Sequence, residues 1–162
     1  MSQPRDLWPE EIAVPTIAPP VAILREQAEL LAAKTRGLVE GEVTTAAIPP
    51  ISPLHRKNEL IFKSSVGEAH EIPKAIAPKE PTLVHSFYLR VPALDNYRFL
   101  LLTVMHGREY YPLSISYYID HVHVQAKSEP EFLQLLRDFL SHENTIRFIK
   151  ELMAQIPAKM RS

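Results

Sequence analysis

Apolar residues recur at spacings of three and four beyond Pro20. In PVAILREQAELLAAKTRGLVE, the positions Val21, Leu24, Ala28, Leu31, Thr35 and Leu38 fall on one stripe. Pro20 suits a first helical turn, and Gly37 and Gly41 mark the end. The pattern predicts a helix lying on a sheet or on another helix, because the stripe is too short for a coiled coil. From residue 82 the period changes to two. TLVHSFYLRV (82–91) sets Leu83, Phe87, Leu89 and Val91 on one face and Ser86 and Arg90 on the other. Asp95 and Asn96 are turn residues, and YRFLLLTVMH (97–106) is apolar on both faces, as in a central strand covered on two sides.

LSISYYI (113–119) alternates again with Leu113, Ile115, Tyr117 and Ile119 inward, whereas VHVQA turns Val122, Val124 and Ala126 inward. The inward phase therefore slips between Ile119 and Val122, and a tight turn or bulge at Asp120–His121 would absorb it. SEPEFLQLLRDFL opens with Ser128, Pro130 and Glu131, a capping-box start, and carries Phe132, Leu135, Leu136 and Phe139 on one face. A second helix is expected from Ser141, with Ile146, Ile149, Leu152, Met153 and Ile156 inward. Residues 42–48 are rich in β-branched side chains and predict a strand, while 59–66 fit a short strand or a helical turn. The expected fold is α+β: a leading helix, an antiparallel meander of four or five strands, and two C-terminal helices packed on one face.

Composition divides the chain without adding a second domain. Eleven of the 15 prolines lie at or before Pro81, and 11 of the 13 aromatic residues lie after it. The core should come mainly from residues 82–156, with 1–19 an extended Pro-rich arm and 49–81 a long Pro-rich connection within a single 162-residue domain. Trp8, alone in that arm, is expected to anchor it on the domain, the alternative being a motif offered to a partner.

A formal charge of −1 gives no field to draw the chain to nucleic acid or an acidic membrane, and HRK at 55–57 is the one tight basic cluster. The absence of cysteine excludes disulfides, thiol catalysis and Cys-ligated metals. With no signal-peptide pattern and no apolar run long enough to span a bilayer, the expected location is the cytoplasm. The familiar nucleotide, hydrolase and zinc-protease motifs are missing, and the four glycines do not cluster into a phosphate loop. No cofactor is expected.

Two sets of residues carry candidate chemistry. Asp120, His121 and His123 are metal-ligand types within four positions, and a strand would put both imidazoles on one face. Zinc wants three or four ligands, however, so a solvent face is the preferred reading. An antiparallel meander places His106 at the opposite end of the sheet from His121, roughly 26 Å away, but brings His85 and His106 onto one face, diagonal to each other, as a hydrogen-bonded pair. Trp8, Arg108, Tyr110, Tyr111 and Tyr118 are the residue types of interaction surfaces. The sequence thus points to a non-catalytic protein-interaction module of accessory, adaptor, inhibitor or immunity type, with another protein or a second copy as partner. The alternative is a small-ligand or metal-dependent enzyme using the histidines.

Overall fold

The computed structural model describes residues 4–12, 18–49, 61–63, 69–71 and 80–161. Helix α1 (Pro20–Lys34) starts on Pro19, whose extended backbone presents Pro20 as the first helical residue. Thr35 closes it: its hydroxyl accepts the Val39 N–H at 3.1 Å and lies 2.7 Å from the Val39 carbonyl, and Gly37 makes the turn at φ 77°. The chain then enters β1 (Glu40–Ile48), two residues earlier than the sequence pattern suggests, so Gly41 lies inside the strand. Strands β2 (Ile61–Lys63) and β3 (Ala69–Glu71) form a separate antiparallel pair. Residues 50–60, 64–68 and 72–79 of the Pro-rich connection, including the 55–57 cluster, lie outside the described residues.

β4 (Thr82–Val91), β5 (Tyr97–His106), β6 (Leu113–Tyr117) and β7 (Val122–Ala126) complete a five-stranded sheet of order β1-β4-β5-β6-β7, antiparallel throughout. Asp95 and Asn96 join β4 to β5 in left-handed conformation, which short polar side chains tolerate. The phase slip after Ile119 is absorbed by a turn at 118–121, with His121 at φ 54°. β5 contains a bulge: Phe87 faces Leu102 and Tyr88 faces Leu100, leaving Leu101 as the extra residue. Leu101 and Leu102 are in consequence both part of the core, and the apolar run in β5 reflects this bulge as well as its central position.

Helices α2 (Glu129–Leu140) and α3 (Glu143–Ala154) lie with α1 on the sheet face that carries Phe87, Leu89, Val104, Ile115 and Tyr117. The short α4 (Ala158–Arg161) follows. Ser128 caps α2 by accepting the Glu131 N–H. Ser141 does not start α3; it ends α2, its hydroxyl donating to the Arg137 carbonyl, and His142 takes the cap by accepting the Asn144 N–H. This shifts the inward face of α3. Thr145 is buried and Ile146 is exposed, because the Thr145 hydroxyl is satisfied by Tyr117 and the Phe139 carbonyl. Among the described residues no helix is long and apolar enough to cross a membrane.

A candidate binding cleft and a closed histidine pair

The three helices do not close completely over the sheet. α1 descends onto β1 at Gly41, where a Cβ would stand 2.6 Å from both Cα and Cβ of Ala28. α2 is held further along by Phe132, Leu136 and Phe139. Between them lies a cleft of about 430 Å³, within the range of ligand-sized cavities. Phe87, Leu89 and the bulged Leu101 form its floor, Leu31 and Leu136 its walls, and Thr145 and Ile149 of α3 its end. Leu30 and Leu133 line it from opposite helices while remaining 47% and 42% exposed. Its polar rim is Gln27, Lys34, Arg137 and Ser141, and among the described residues lining it none is acidic. The floor itself is covered, so the cleft pairs the exposed apolar lips of Leu30 and Leu133 with a cationic rim.

The second feature is closed. His85 and His106 are 2% and 5% exposed and meet Nε2 to Nε2 at 2.8 Å. His106 Nδ1 lies 2.9 Å from the Gly107 carbonyl, and His85 Nδ1 lies 2.9 Å from the Thr45 hydroxyl. A carbonyl only accepts, so His106 Nδ1 carries hydrogen; in a neutral ring its Nε2 is then the acceptor. His85 must donate from Nε2 and receive the Thr45 hydroxyl at Nδ1. One chain of donors running Thr45, His85, His106, Gly107 then satisfies every ring nitrogen. Burial first, then the facing His106 and Arg25, hold His85 down at about 4. Tyr110 packs edge-on against His106, with ring centroids 5.5 Å apart.

The remaining sequence candidates are dispersed. His121 belongs to the turn and not to β7, so strand alternation does not align it with His123. His123 continues a polar row of cross-strand partners, Thr44, Ser86, Thr103, Ser116 and His123, and its Nδ1 is 2.7 Å from the Ser116 hydroxyl. Asp120 accepts a hydrogen bond from Asn144 and faces His142 at 3.6 Å. Among the described residues no three His, Asp or Glu side chains converge on a metal-sized site. His106 and His123 lie on opposite faces of the sheet. β6 is short, which sets the 118–121 turn beside Leu101 and Leu102 and not beside Arg98, so the sheet itself, more than its length, separates them.

The tyrosines do not gather into one patch. Tyr111, joined to Pro112 by a cis peptide, turns toward Phe132 of α2, while the Tyr118 hydroxyl meets Thr103 on the far face. Arg108 is exposed, its N–H directed to Glu80. Trp8 does not anchor the arm. It is 77% exposed, with Leu7 and Ile12 also exposed beside it, because the arm folds on itself: Asp6 accepts the Trp8 N–H and Pro9 accepts that of Ile12.

The cleft escaped the sequence reading, although a signal existed. Leu30 beside Leu31 and Leu133 beside Phe132 are apolar positions just outside each helix's inward stripe. They broaden the faces beyond what the core consumes. Comparisons of the chain with protein-family models, curated proteins and solved structures return no match.

Proposed function

We propose that this protein is a non-catalytic interaction module that holds a short acidic, apolar segment of a protein in the cleft between α1 and α2. The observation that carries the reading is the combination of exposed Leu30 and Leu133 at the lips with Lys34 and Arg137 on a rim free of described carboxylates. Apolar surface left open in this way is a mark of recognition surfaces, and the rim charge selects the sign of what enters. The histidine pair lends little support to an enzyme reading. Its rings are buried and fully hydrogen-bonded to one another and to the chain.

Fluorescence anisotropy with labelled peptides tests the reading. A peptide with one Trp, two aliphatic residues and three acids is expected to bind, and its counterpart with lysines in place of the acids is not. Arg137→Glu should weaken the acidic peptide on the order of tenfold or more, equivalent to one strong charge pair. Equal binding of both peptides, or of neither, would refute the proposal.

A further inference from the structure

The arm that fails to pack on its own domain has the composition the cleft requires. Residues 5–12, RDLWPEEI, hold three acids against one arginine, and Leu7, Trp8 and Ile12 are 82%, 77% and 62% exposed. The segment is locally shaped before it meets anything. The Asp6 carboxylate accepts the Trp8 N–H at 2.9 Å, and the Pro9 carbonyl accepts the Ile12 N–H at 3.1 Å. Such pre-ordering lowers the entropy lost on docking.

We infer that the cleft is filled by the N-terminal arm of a second copy of this chain, each protomer giving its arm to the other in a two-fold dimer. This rests on the reading of the cleft as a recognition site for acidic, apolar segments. Trp8 supplies the bulky apolar side chain to lie between the exposed Leu30 and Leu133 at the lips of the cleft. Asp6, Glu10 and Glu11 answer Lys34 and Arg137.

The choice of a second copy follows from the single chain, in which the arm leaves its own cleft open. Exchange also doubles the contact. One Trp, one Leu and one Ile bury only a few hundred Å² per arm, too little alone, but two arms reach the low end of the area that holds weak dimers together. A self-complementary two-fold contact closes on itself and stops at the dimer. Ile12 and Pro20 are eight positions apart, so at full extension the arm can stand off from its own α1 by roughly 28 Å.

Trp8 is the sole tryptophan, so its emission reports the arm directly. Sedimentation velocity of the full chain should show a concentration-dependent monomer–dimer equilibrium with a micromolar constant, and the emission should shift to the blue as the dimer forms. Trp8→Ala removes the arm's main side chain, and Leu133→Glu sets a carboxylate in the cleft's lip. Both positions are exposed, so neither variant disturbs the core. Each alone should weaken dimerisation on the order of 30-fold or more, as expected for a central aromatic anchor. In an equimolar mixture the two variants should associate with each other more tightly than either does with itself, yet more weakly than wild type, because only one intact arm then meets one intact cleft. A wild-type monomer at all concentrations overturns the exchange, and so does a blue-shifted emission that ignores concentration, which places the arm in its own cleft. A dimer indifferent to both substitutions overturns it as well. If the exchange fails while Leu133→Glu still abolishes binding of the labelled acidic peptide, the recognition reading stands. If Leu133→Glu changes neither, both fall together.

Discussion

Gly41 passes so close beneath Ala28 that any side chain at 41 would collide with helix backbone: its Cβ would lie 2.6 Å from the Ala28 Cα and 2.9 Å from the Phe87 ring. This contact sets how low α1 sits on β1. Gly41→Ala forces the helix to lift, and overpacking of this kind costs about 1–3 kcal/mol. Urea unfolding should show that loss. Adding Ala28→Gly should recover only part of it, since the Cα clash remains. A Gly41→Ala variant as stable as wild type would show that α1 moves freely over the sheet.

The histidine pair predicts a pH dependence of definite sign. His85 is held at about 4 in the fold, whereas in the unfolded chain it titrates near 6.5. Between these values the unfolded chain binds a proton that the folded chain refuses, so stability falls as pH drops from 6.5 to about 4 and levels below that. The full loss from this group is about 3 kcal/mol. Denaturant midpoints for wild type and His85→Gln across this range isolate it from the carboxylates. The wild type should fall more steeply on acidification, and parallel curves would remove His85 as the cause. At neutral pH, nitrogen-detected NMR should find hydrogen on Nε2 of His85 and Nδ1 of His106.

The pairing of His85 with His106 was legible because it follows from two local periods and one register. β4 and β5 alternate clearly, Asp95 and Asn96 mark their turn, and matching the apolar faces leaves the imidazoles diagonal. The bulge at Leu101 was not legible. Three consecutive leucines satisfy a two-sided strand as well as a bulged one, and only the partner strand decides. Thr145 and Ile146 were exchanged for a related reason. A hydroxyl reads as a surface residue until Tyr117 and the Phe139 carbonyl are brought to it from elsewhere in the chain. The cleft is less legible still, since it depends on the spacing of two helices far apart in sequence.

Thr145 joins α3 to both the sheet and α2. Its hydroxyl donates to the Phe139 carbonyl at 2.7 Å and accepts from the Tyr117 hydroxyl, and the residue is 1% exposed. Thr145→Val keeps the shape but leaves the buried Tyr117 hydroxyl without its partner and the Phe139 carbonyl with only the longer bond from the His142 N–H at 3.4 Å, at a cost of about 2 kcal/mol. Tyr117→Phe removes only one bond and should cost about 1 kcal/mol. Equilibrium unfolding of both variants checks the order. A Thr145→Val variant no weaker than Tyr117→Phe would mean that the His142 N–H alone satisfies the Phe139 carbonyl.

On the sheet's other face, Arg90 and Arg98 are direct cross-strand partners, a like-charge pairing that β1 neutralises with one glutamate each. The two ion pairs should differ in strength. Arg90–Glu40 is 39% and 37% exposed at its side chains and is expected to contribute under about 1 kcal/mol. Arg98 is only 14% exposed, grips both Glu42 oxygens at 2.9 and 3.1 Å, and lays its guanidinium 3.7 Å from the Tyr88 ring centre. Lysine cannot reproduce either the fork or the flat stack. Arg98→Lys should therefore cost about 1–2 kcal/mol although the charge is kept, against less than about 0.5 for Arg90→Lys. Glu42→Gln should cost about 1 kcal/mol, and combining it with Arg98→Lys should cost less than the sum, since both remove one shared contact. A double-mutant cycle in urea measures that coupling. If it is zero, Arg98 is held by Tyr88 alone, and Tyr88→Leu would then reproduce the whole loss.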